Sequence, residues 1–554
     1  MLKKSIAMIL TVLMLISAIG VMPISAVETK PVTLSVDGGT ETGYDTLLKA
    51  VIAANSITEG EKITITVKED HSYNGPNKKN NSTEERYVGT LPLVIDGGNH
   101  TVTTTITESS AGGALTLAAN ADTGDQPNVT IKNISFNEVG TSTTNQRSVI
   151  RIECGDVKMD NVHITNNLVK GGAIGLDTRY YSTGDVNVEI NNSTVISTAD
   201  TAVYTWIFAD STMNDITCKV TDSIFICNGE KTEESVCLNN NCANEYNFTF
   251  KGCIFDAINQ HKSTFNVGVS SKASNVTVND CDFYNVANNA NITTSYFTSI
   301  LVQTSDKATV DIFNSNFYGL NVLTVKTSTG GNHMIAGVDT NGNNYATVVG
   351  RYRLKGTAED TTVTKDVKQI AMPKMKYGAS VRLNSQSSGI RFTTEVTVDQ
   401  AAAYAELAGE GGKVEYGTIL VLKSALSTAT NAWSSSNRPD IANRFIPIDT
   451  LDALGVNYID ITANEGISTD DSGNITYRAA ITDIPDTAYA NDICAYSYVK
   501  VTYADQSVEY FYAGFNVTNN TRSIQTVARI ALDDGTSYTA TELEILNKYA
   551  GVAQ

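Results

Sequence analysis

Apolar and polar residues alternate in short segments through the first two-thirds of the chain, and one template recurs there. Each copy has two apolar positions with one residue between them. Asn, Asp or Gly follows two positions after the second, and another apolar residue comes three positions after that. Alternation with a period of two predicts strands that bury one face. Looser copies begin at Ile63 and Leu93. The clear copies begin at Val129, Val157, Val188, Cys218, Phe248, Val276 and Val310. Successive copies are 28 (157 − 129) to 34 (310 − 276) residues apart.

The Asn, Asp or Gly position tolerates left-handed backbone, so the chain can turn there before a second strand begins. A single turn cannot bury its apolar face alone, and successive turns must therefore stack. The sequence predicts an all-β chain that starts with a right-handed parallel β-helix of about nine turns, rising about 4.8 Å per turn. Asn side chains at this position are expected to hydrogen-bond from one turn to the next.

The flanking regions have other patterns. Residues 44–55 predict an amphipathic helix, with Asp45 or Thr46 as N-cap, that covers the open first turn. The polar segment 351–374 predicts a linker. Alternating segments over 375–535 predict a β-sandwich-like accessory domain that contains a short helix at 399–407. The C-terminal segment 536–554 predicts a final helix, capped by Thr541 and Glu544.

The repeat, the Asp-Gly-Gly-Asn-His turn at 96–100 and the capping helix resemble the pectate-lyase-like right-handed β-helix superfamily. The resemblance covers roughly residues 32–350, within a β-helix domain placed at 27–350. It implies the fold and leaves the activity open. The segments Gly-Ile-Arg-Phe at 389 and Asn-Thr-Arg-Ser-Ile at 520 are similar to an accessory domain at the C-terminal end of proteins secreted by anaerobic gut bacteria.

The first residues predict export. Lys3 and Lys4 precede an apolar run over 6–22, and Pro23 and a small-residue end at Ala26 follow it. This order is typical of a secretory signal peptide over residues 1–26. An uncleaved membrane anchor is the alternative, because the run approaches spanning length. We expect a secreted, extracellular protein with no membrane span after cleavage.

The charge limits the class of partner. The formal net charge is −19, and removal of two lysines with residues 1–26 makes it −21. An acidic protein should repel nucleic acid and anionic membrane. It also disfavours a densely anionic glycan, unless a local basic patch or a bound metal ion overrides the net field.

Eight cysteines are present, and none has zinc-site spacing. Cys253 and Cys281 occupy the same place in consecutive repeats, within disulfide range if the strands stack. We expect free thiols that pack as small residues.

A β-helix places equivalent positions of neighbouring turns side by side. Alignment of the apolar positions of two turns puts Glu153 beside Asp177, with Arg151 and Arg179 nearby. Two such carboxylates could act as catalytic acid and base or could hold Ca²⁺. An arginine could neutralise a uronate carboxylate or assist its proton loss. The alternative is that Arg151 pairs with Glu153, and Asp177 with Arg179, as structural ion pairs.

Aromatic residues on the same and the next turn suit stacking against sugar rings. They are Tyr180, Tyr181, Tyr204 and Trp206, and a second aromatic column joins Tyr284 to Tyr318. Packing under a loop and ordinary sheet surface are the alternatives. A charged column on the first strand of the repeat predicts surface ion pairs, each worth little, among Lys158, Glu189 and Lys219.

Known β-helix enzymes carry elements that this chain lacks. Polygalacturonases have Asn-Thr-Asp, Asp-Asp, Gly-His-Gly and Arg-Ile-Lys elements; residues 32–350 contain none, and Arg-Ile-Glu at 151–153 is the nearest. Pectate lyases carry several Ca²⁺-binding aspartates and an Arg near a Pro, which have no match here. Residues 339–350 begin like a calcium loop but lack its Gly and Glu, and we interpret them as the loop that closes the last turn.

The sequence therefore predicts an extracellular carbohydrate-interacting β-helix protein whose partner is a plant or other polysaccharide. One alternative is a polysaccharide lyase or glycoside hydrolase that acts in a groove near Glu153 and Asp177. The other is a non-catalytic adhesin or surface-structural protein whose rod displays a binding face.

Overall fold

The computed structural model shows an all-β chain with 53% strand and 14% helix. The predicted signal peptide lies outside the described residues, and none of the helices described is long and apolar enough to cross a membrane. The described residues are 30–75, 86–106, 113–140, 148–167, 172–177, 184–197, 202–206, 215–227, 236–240, 245–256, 265–270, 273–285, 299–302, 307–319, 324–327, 332–334, 344–355, 358–360, 363, 365–376, 378–425, 448–453, 455–463, 466–513 and 521–552.

The described residues of the first region form one helix, α1 (Leu47–Ala54), and 28 strands. The strands are β1 (Val32–Val36), β2 (Thr42–Tyr44), β3 (Ile63–Val67), β4 (His71–Asn74), β5 (Leu93–Ile106), β6 (Leu115–Leu117), β7 (Asn128–Gly140), β8 (Ile150–Ile152), β9 (Gly155–Asn166), β10 (Ile174–Asp177), β11 (Val186–Asn191), β12 (Thr194–Ser197), β13 (Val203–Trp206), β14 (Ile216–Thr221), β15 (Ile224–Cys227), β16 (Val236–Asn240), β17 (Glu245–Lys251), β18 (Ile254–Asp256), β19 (Phe265–Ser270), β20 (Ala273–Asn279), β21 (Asp282–Asn285), β22 (Ile300–Val302), β23 (Ala308–Gly319), β24 (Thr324–Thr327), β25 (Asn332–Met334), β26 (Asn344–Lys355), β27 (Ala358–Asp360) and β28 (Lys365–Ala371).

In the part of the second region that the structure describes there are ten strands, four α-helices and a 3₁₀ turn at Asp486–Ala488. The elements are β29 (Lys374–Met375), β30 (Ser380–Val381), β31 (Gly389–Val396), α2 (Val398–Ala408), β32 (Lys413–Leu422), α3 (Ile448–Ala453), β33 (Ile459–Thr462), β34 (Ser468–Thr469), β35 (Ile475–Thr482), β36 (Ile493–Thr502), β37 (Val508–Tyr512), β38 (Thr521–Arg522), α4 (Ile524–Asp533) and α5 (Ala540–Ala550).

The first region is a parallel β-solenoid with three faces. The first face consists of β3, β11, β14, β17, β20 and the leading halves of β5, β7, β9 and β23. The second face consists of β4, β12, β15, β18, β21 and the trailing halves of the same four strands. The third face consists of β6, β8, β10, β13, β16, β19, β22 and β24. On the first face the predicted repeat starts are register partners, from Val129 with Val157 through to Val276 with Val310.

The expected count of about nine turns is too high, because the solenoid has about five. The turns between Val129 and Val276 keep a length of 28–31 residues, as their register pairs show. The neighbouring steps are longer, since Leu93 pairs with Val129 and Val276 pairs with Val310. Sequence alternation marks strands, and it does not distinguish these looser outer rungs from the regular turns.

The corner between the first and second faces has the backbone that the template predicts. Its residues have φ between 43° and 66° at Asn99, Asn133, Asn161, Asn192, Asp222, Gly252, Asp280 and Asn314. The expected ladder is present where Asn161 Nδ2 donates to Asn133 Oδ1 at 3.0 Å. The next residue adds a second ladder, because the backbone N–H of Ser193 donates to Ser223 Oγ at 3.1 Å.

The interior is a continuous apolar stack. The phenylalanine rings of the second face stack with centroid spacings of 5.5, 4.8 and 4.8 Å, in the order Phe225, Phe255, Phe283 and Phe317. In the corner, the backbone N–H of Cys253 donates to Cys281 Sγ at 3.4 Å, and both thiols are free and buried, as expected.

Both ends of the solenoid are closed. Helix α1 has Thr46 as N-cap, as predicted, and it buries Leu47, Val51 and Ala54 against the first turn. At the other end β26 pairs with β23 antiparallel, and β28 pairs with β26. Residues 351–374, where the sequence predicts a linker, therefore carry strands that extend the solenoid sheet.

The second region has two antiparallel sheets that pack on each other. One has the order β29-β31-β35-β34, with β30 beside β31, and the other has the order β33-β32-β36-β37, with β38 beside β36. Thr394 Oγ1 donates to Ser497 Oγ between the sheets at 2.5 Å. The capping box of the final helix α5 lies two residues earlier than predicted, since Thr539 and Glu542 form it instead of Thr541 and Glu544.

The second region lies against the second face of the solenoid. Ile196, Ile224 and Ile226 point outward from that face and are nearly fully buried in one apolar cluster with Tyr404 and Val499 of the accessory region. We call this surface the docking face.

Candidate functional site

The third face brings several predicted site residues together. Arg151 of β8 is the register partner of Gly175 in β10, and Gly175 is the partner of Tyr204 in β13. Asp177 is the partner of Trp206. The pairing of β8 with β10 has the predicted register and ends one residue before Glu153 and Asp177. Three adjacent strands therefore carry these residues at neighbouring positions.

Two of these side chains are buried and paired. Arg151 and Glu153 are each 1% exposed. Arg151 Nη2 lies 2.9 Å from Glu153 Oε1, and Arg86 Nη1 lies 3.5 Å from Glu153 Oε2. A carboxylate between two guanidinium groups offsets the cost of burying all three charges. This arrangement matches the structural alternative for Arg151 and Glu153, because a polymer reaches them only if the surrounding chain moves aside. Their catalytic role stays a prediction.

The remaining predicted residues are placed only in part. Arg179, Tyr180 and Tyr181 lie outside the described residues. The structure describes the backbone but not the side chains of Asp177, Tyr204 and Trp206. Their stacking and catalytic roles also stay predictions.

The second aromatic column lies on a different face from the first. Tyr284 is the register partner of Tyr318, as the sequence predicts, and Tyr318 is the partner of Tyr345 in β26. This column continues the row of Ile226 and Asp256 beyond the docking face. The structure describes only the backbone of the three tyrosines, so the sugar-stacking role stays a prediction.

The outer side of the first face holds an open polar groove of about 310 Å³. It crosses four rungs, from β7 to β14. Its polar lining consists of Asn128, Asp156, Lys158, Asn187, Glu189, Thr217 and Lys219. We call it the first-face groove.

The charged column of this groove lacks the ion pairs that we expected. Lys158, Glu189 and Lys219 are register partners, yet within the described part of the chain no ion pair of 4.0 Å or less joins them. By contrast, Lys132 on the same face lies 2.9 Å from Asp96. Asn187 Nδ2 donates to Asp156 Oδ1 at 2.9 Å, which leaves the other carboxylate oxygen to the groove. The groove therefore offers ammonium, carboxylate and amide groups to a ligand.

Sequence reasoning identified these positions as outward but did not identify the groove as a binding site. The available signal was a run of polar outward residues over neighbouring turns without the apolar outward residues that mark a covered face. It was missed because same-column charges were assumed to pair.

One carboxylate points into the solenoid instead of outward. Glu138 of β7 shares the inward row of Phe136, is fully buried, and its oxygens accept no hydrogen bond from the described residues. Burial raises its pKa well above the ordinary value of a glutamate. Glu138 is therefore a buried core residue rather than part of an accessible site.

The described residues contain no group of three or more His, Cys, Asp or Glu side chains that could hold a metal ion. The Ca²⁺ role suggested for Glu153 and Asp177 stays a prediction.

No protein-family model matches this chain, and no curated protein matches it either.

Proposed function

We propose that the protein is an extracellular carbohydrate-binding β-helix that holds a polysaccharide in the first-face groove. The observation that carries the proposal is the column of Lys158, Glu189 and Lys219, whose charges face the groove without pairing to each other in the described chain. The apolar first residues of the chain support export, and the likeness to pectate-lyase-like β-helices supports polysaccharide as the class of ligand.

The chemistry of the groove suits sugar hydroxyl groups. Each hydroxyl both donates and accepts, so alternating ammonium, carboxylate and amide groups satisfy it from both sides. Hydrogen bonds to charged groups are worth about 1.5–3 kcal/mol when buried, more than those between neutral groups. The columns repeat at about 4.8 Å per rung, so an extended polymer meets equivalent groups along the solenoid axis. The net charge of −19 favours a neutral polysaccharide over a polyanion in this groove.

The binding test uses the mature full-length protein and a panel of neutral plant polysaccharides in affinity electrophoresis. We expect retardation by at least one polymer and its loss in the double variant Lys158→Ala/Lys219→Ala. The matched control is Lys376→Ala/Lys413→Ala, which removes two exposed lysines of the accessory region. Equal retardation of the two double variants contradicts the groove as the binding site.

Catalysis by the third face is the second candidate, favoured by the register that gathers Arg151, Asp177, Tyr204 and Trp206. New reducing ends indicate a hydrolase, and an unsaturated product indicates a lyase. Activity that Glu153→Gln abolishes without lowering the melting temperature supports an enzyme. Binding without turnover supports a non-catalytic adhesin.

A further inference from the structure

The sheet of β31 in the accessory region has a hollow in its exposed side. The side chains of Val381, Ile390 and Ile481 form one row across three strands and pack into the apolar core beneath. The two rows that flank it face outward. Their members are Ser380, Arg391 and Ala480 in one row, and Arg382, Gly389 and Thr482 in the other.

Gly389 creates the hollow because it brings no side chain to the centre of its row. A Cβ atom there would lie 3.1 Å from the backbone oxygen of Ile481, 3.4 Å from Arg382 Cβ and 3.5 Å from Thr482 Cγ2, so its place is closely bordered by neighbouring atoms. The resulting cavity has a volume of about 300 Å³. Ala480, the small neighbour in the other row, keeps the adjoining space open. Gly389 and Arg391 belong to the Gly-Ile-Arg-Phe segment, which does not line the first-face groove.

Two guanidinium groups border this hollow. Arg391 Nε donates to Ser380 Oγ at 3.1 Å, and Arg382 Nη1 donates to Ser387 Oγ at 3.1 Å. Within the described residues neither arginine forms an ion pair with a carboxylate. Asp483 follows Thr482 at the rim, and its oxygens accept from Ser387 Oγ at 2.8 Å and Thr482 Oγ1 at 3.2 Å.

We propose that this hollow binds an oxyanion, the carboxylate or phosphate group of an acidic polymer. The planar guanidinium fork matches both groups, and the hydroxyl of Ser380, which accepts from Arg391, has its own hydrogen to donate. In a chain of net charge −19, two arginines without carboxylate partners form the local basic patch that an anionic ligand requires. The site lies in the accessory region and does not depend on the function proposed for the first-face groove.

The test measures binding of the full-length protein to polygalacturonate, which carries carboxylates, and to poly(glycerol phosphate), which carries phosphates. We expect at least one polymer to bind, with an affinity that falls as salt increases. Arg391→Ala and Arg382→Ala each weaken binding by about tenfold or more, the loss of one charge-assisted contact. Arg391→Lys keeps the charge, loses the fork and also weakens binding.

Two controls separate the hollow from general charge effects. Arg478→Ala removes another arginine of the same sheet, one that donates to Ser468 Oγ at 3.2 Å outside the hollow, and leaves binding within about twofold of wild type. Gly389→Ala fills the hollow without changing the charge and weakens binding. The proposal is overturned if neither polymer binds, or if Arg382→Ala/Arg391→Ala binds as tightly as Arg478→Ala.

Discussion

The first and second faces of the solenoid share the same interior yet differ on the outside. On the first face, outward positions such as Asp156 and Glu189 are polar and line an open groove. The second face begins after a corner of one or two residues. Its outward residues in the middle turns are Ile196, Ile224 and Ile226, and the accessory region covers them. The outward residues do not determine how the chain winds into a solenoid. They determine which face stays free for a ligand and which is covered.

The energetic difference between the two faces is large. Full burial of an isoleucine side chain contributes about 1.5–3 kcal/mol, so three of them dominate the docking of the accessory region. Charges on the first face contribute little to stability while they are solvated. They are therefore free to be used for binding.

The largest expected effect comes from placing a charge on the docking face. Ile226→Asp buries an unpaired carboxylate and should cost about 3 kcal/mol or more, relieved only if the accessory region detaches. Urea denaturation measures the loss, and small-angle scattering measures the larger radius of a detached protein. The matched change Thr217→Asp on the first face should cost less than about 0.5 kcal/mol. Similar costs at the two positions would remove the distinction between the faces.

The second prediction compares an inward carboxylate with an outward one. Because the pKa of Glu138 is raised in the folded protein, its carboxyl ionises first in the unfolded chain as pH rises above about 4.3. Stability is full below that pH and falls as pH rises toward the raised folded pKa, by up to about 1.4 kcal/mol per pH unit. Glu138→Gln should flatten this fall.

Thermal unfolding of wild type, Glu138→Gln and the outward control Glu189→Gln from pH 4 to pH 8 checks this prediction. The advantage of Glu138→Gln over wild type should grow with pH, and Glu189→Gln should follow wild type. A constant difference across the range contradicts the assignment of Glu138 as a buried, neutral acid.

The third prediction concerns the corner that separates the two faces. Asn161 has φ of 53° and donates to Asn133, so Asn161→Ala should cost about 1–2 kcal/mol in the free energy of unfolding. Asn161→Gly should cost less, because glycine adopts positive φ without strain. Asn187→Ala on the first face loses a similar hydrogen bond between turns, from Asn187 to Asp156, but involves no left-handed backbone. It should therefore cost the least free energy of unfolding. If Asn187→Ala costs as much as Asn161→Ala, the left-handed backbone does not matter.

The fourth prediction is a pH dependence of docking. Burial and the neighbouring Asp282 of the second face raise the pKa of Glu509 to about 8. Tyr503 donates its hydroxyl to the Glu509 carboxyl. A detached Glu509 ionises at lower pH, so docking is strongest below about pH 4.3 and weakens as pH rises toward 8.

Limited proteolysis from pH 5 to pH 8.5 measures the detached fraction. Glu509→Gln should reduce its rise with pH, while the exposed control Glu406→Gln should leave it unchanged. A detached fraction that stays constant in wild type contradicts the prediction.

The sequence predicted the interior better than the exterior. Alternation and the Asn, Asp or Gly position were enough to place Val129, Val157 and Val188 in register, because burial and left-handed backbone leave a local signature. The sequence did not reveal that Arg151 and Glu153 are buried, since the segments that cover a sheet can be distant from it in sequence. The docking face was missed for the same reason, although Ile224 and Ile226 stand at outward positions where a free sheet carries polar residues.

Lysine-specific labelling read by mass spectrometry, with and without a saturating polysaccharide, shows whether the first-face groove holds the polymer. We expect bound polymer to slow modification of Lys158 and Lys219, while Lys376 and Lys413 react at unchanged rates. Binding that leaves Lys158 and Lys219 as reactive as before would contradict this expectation.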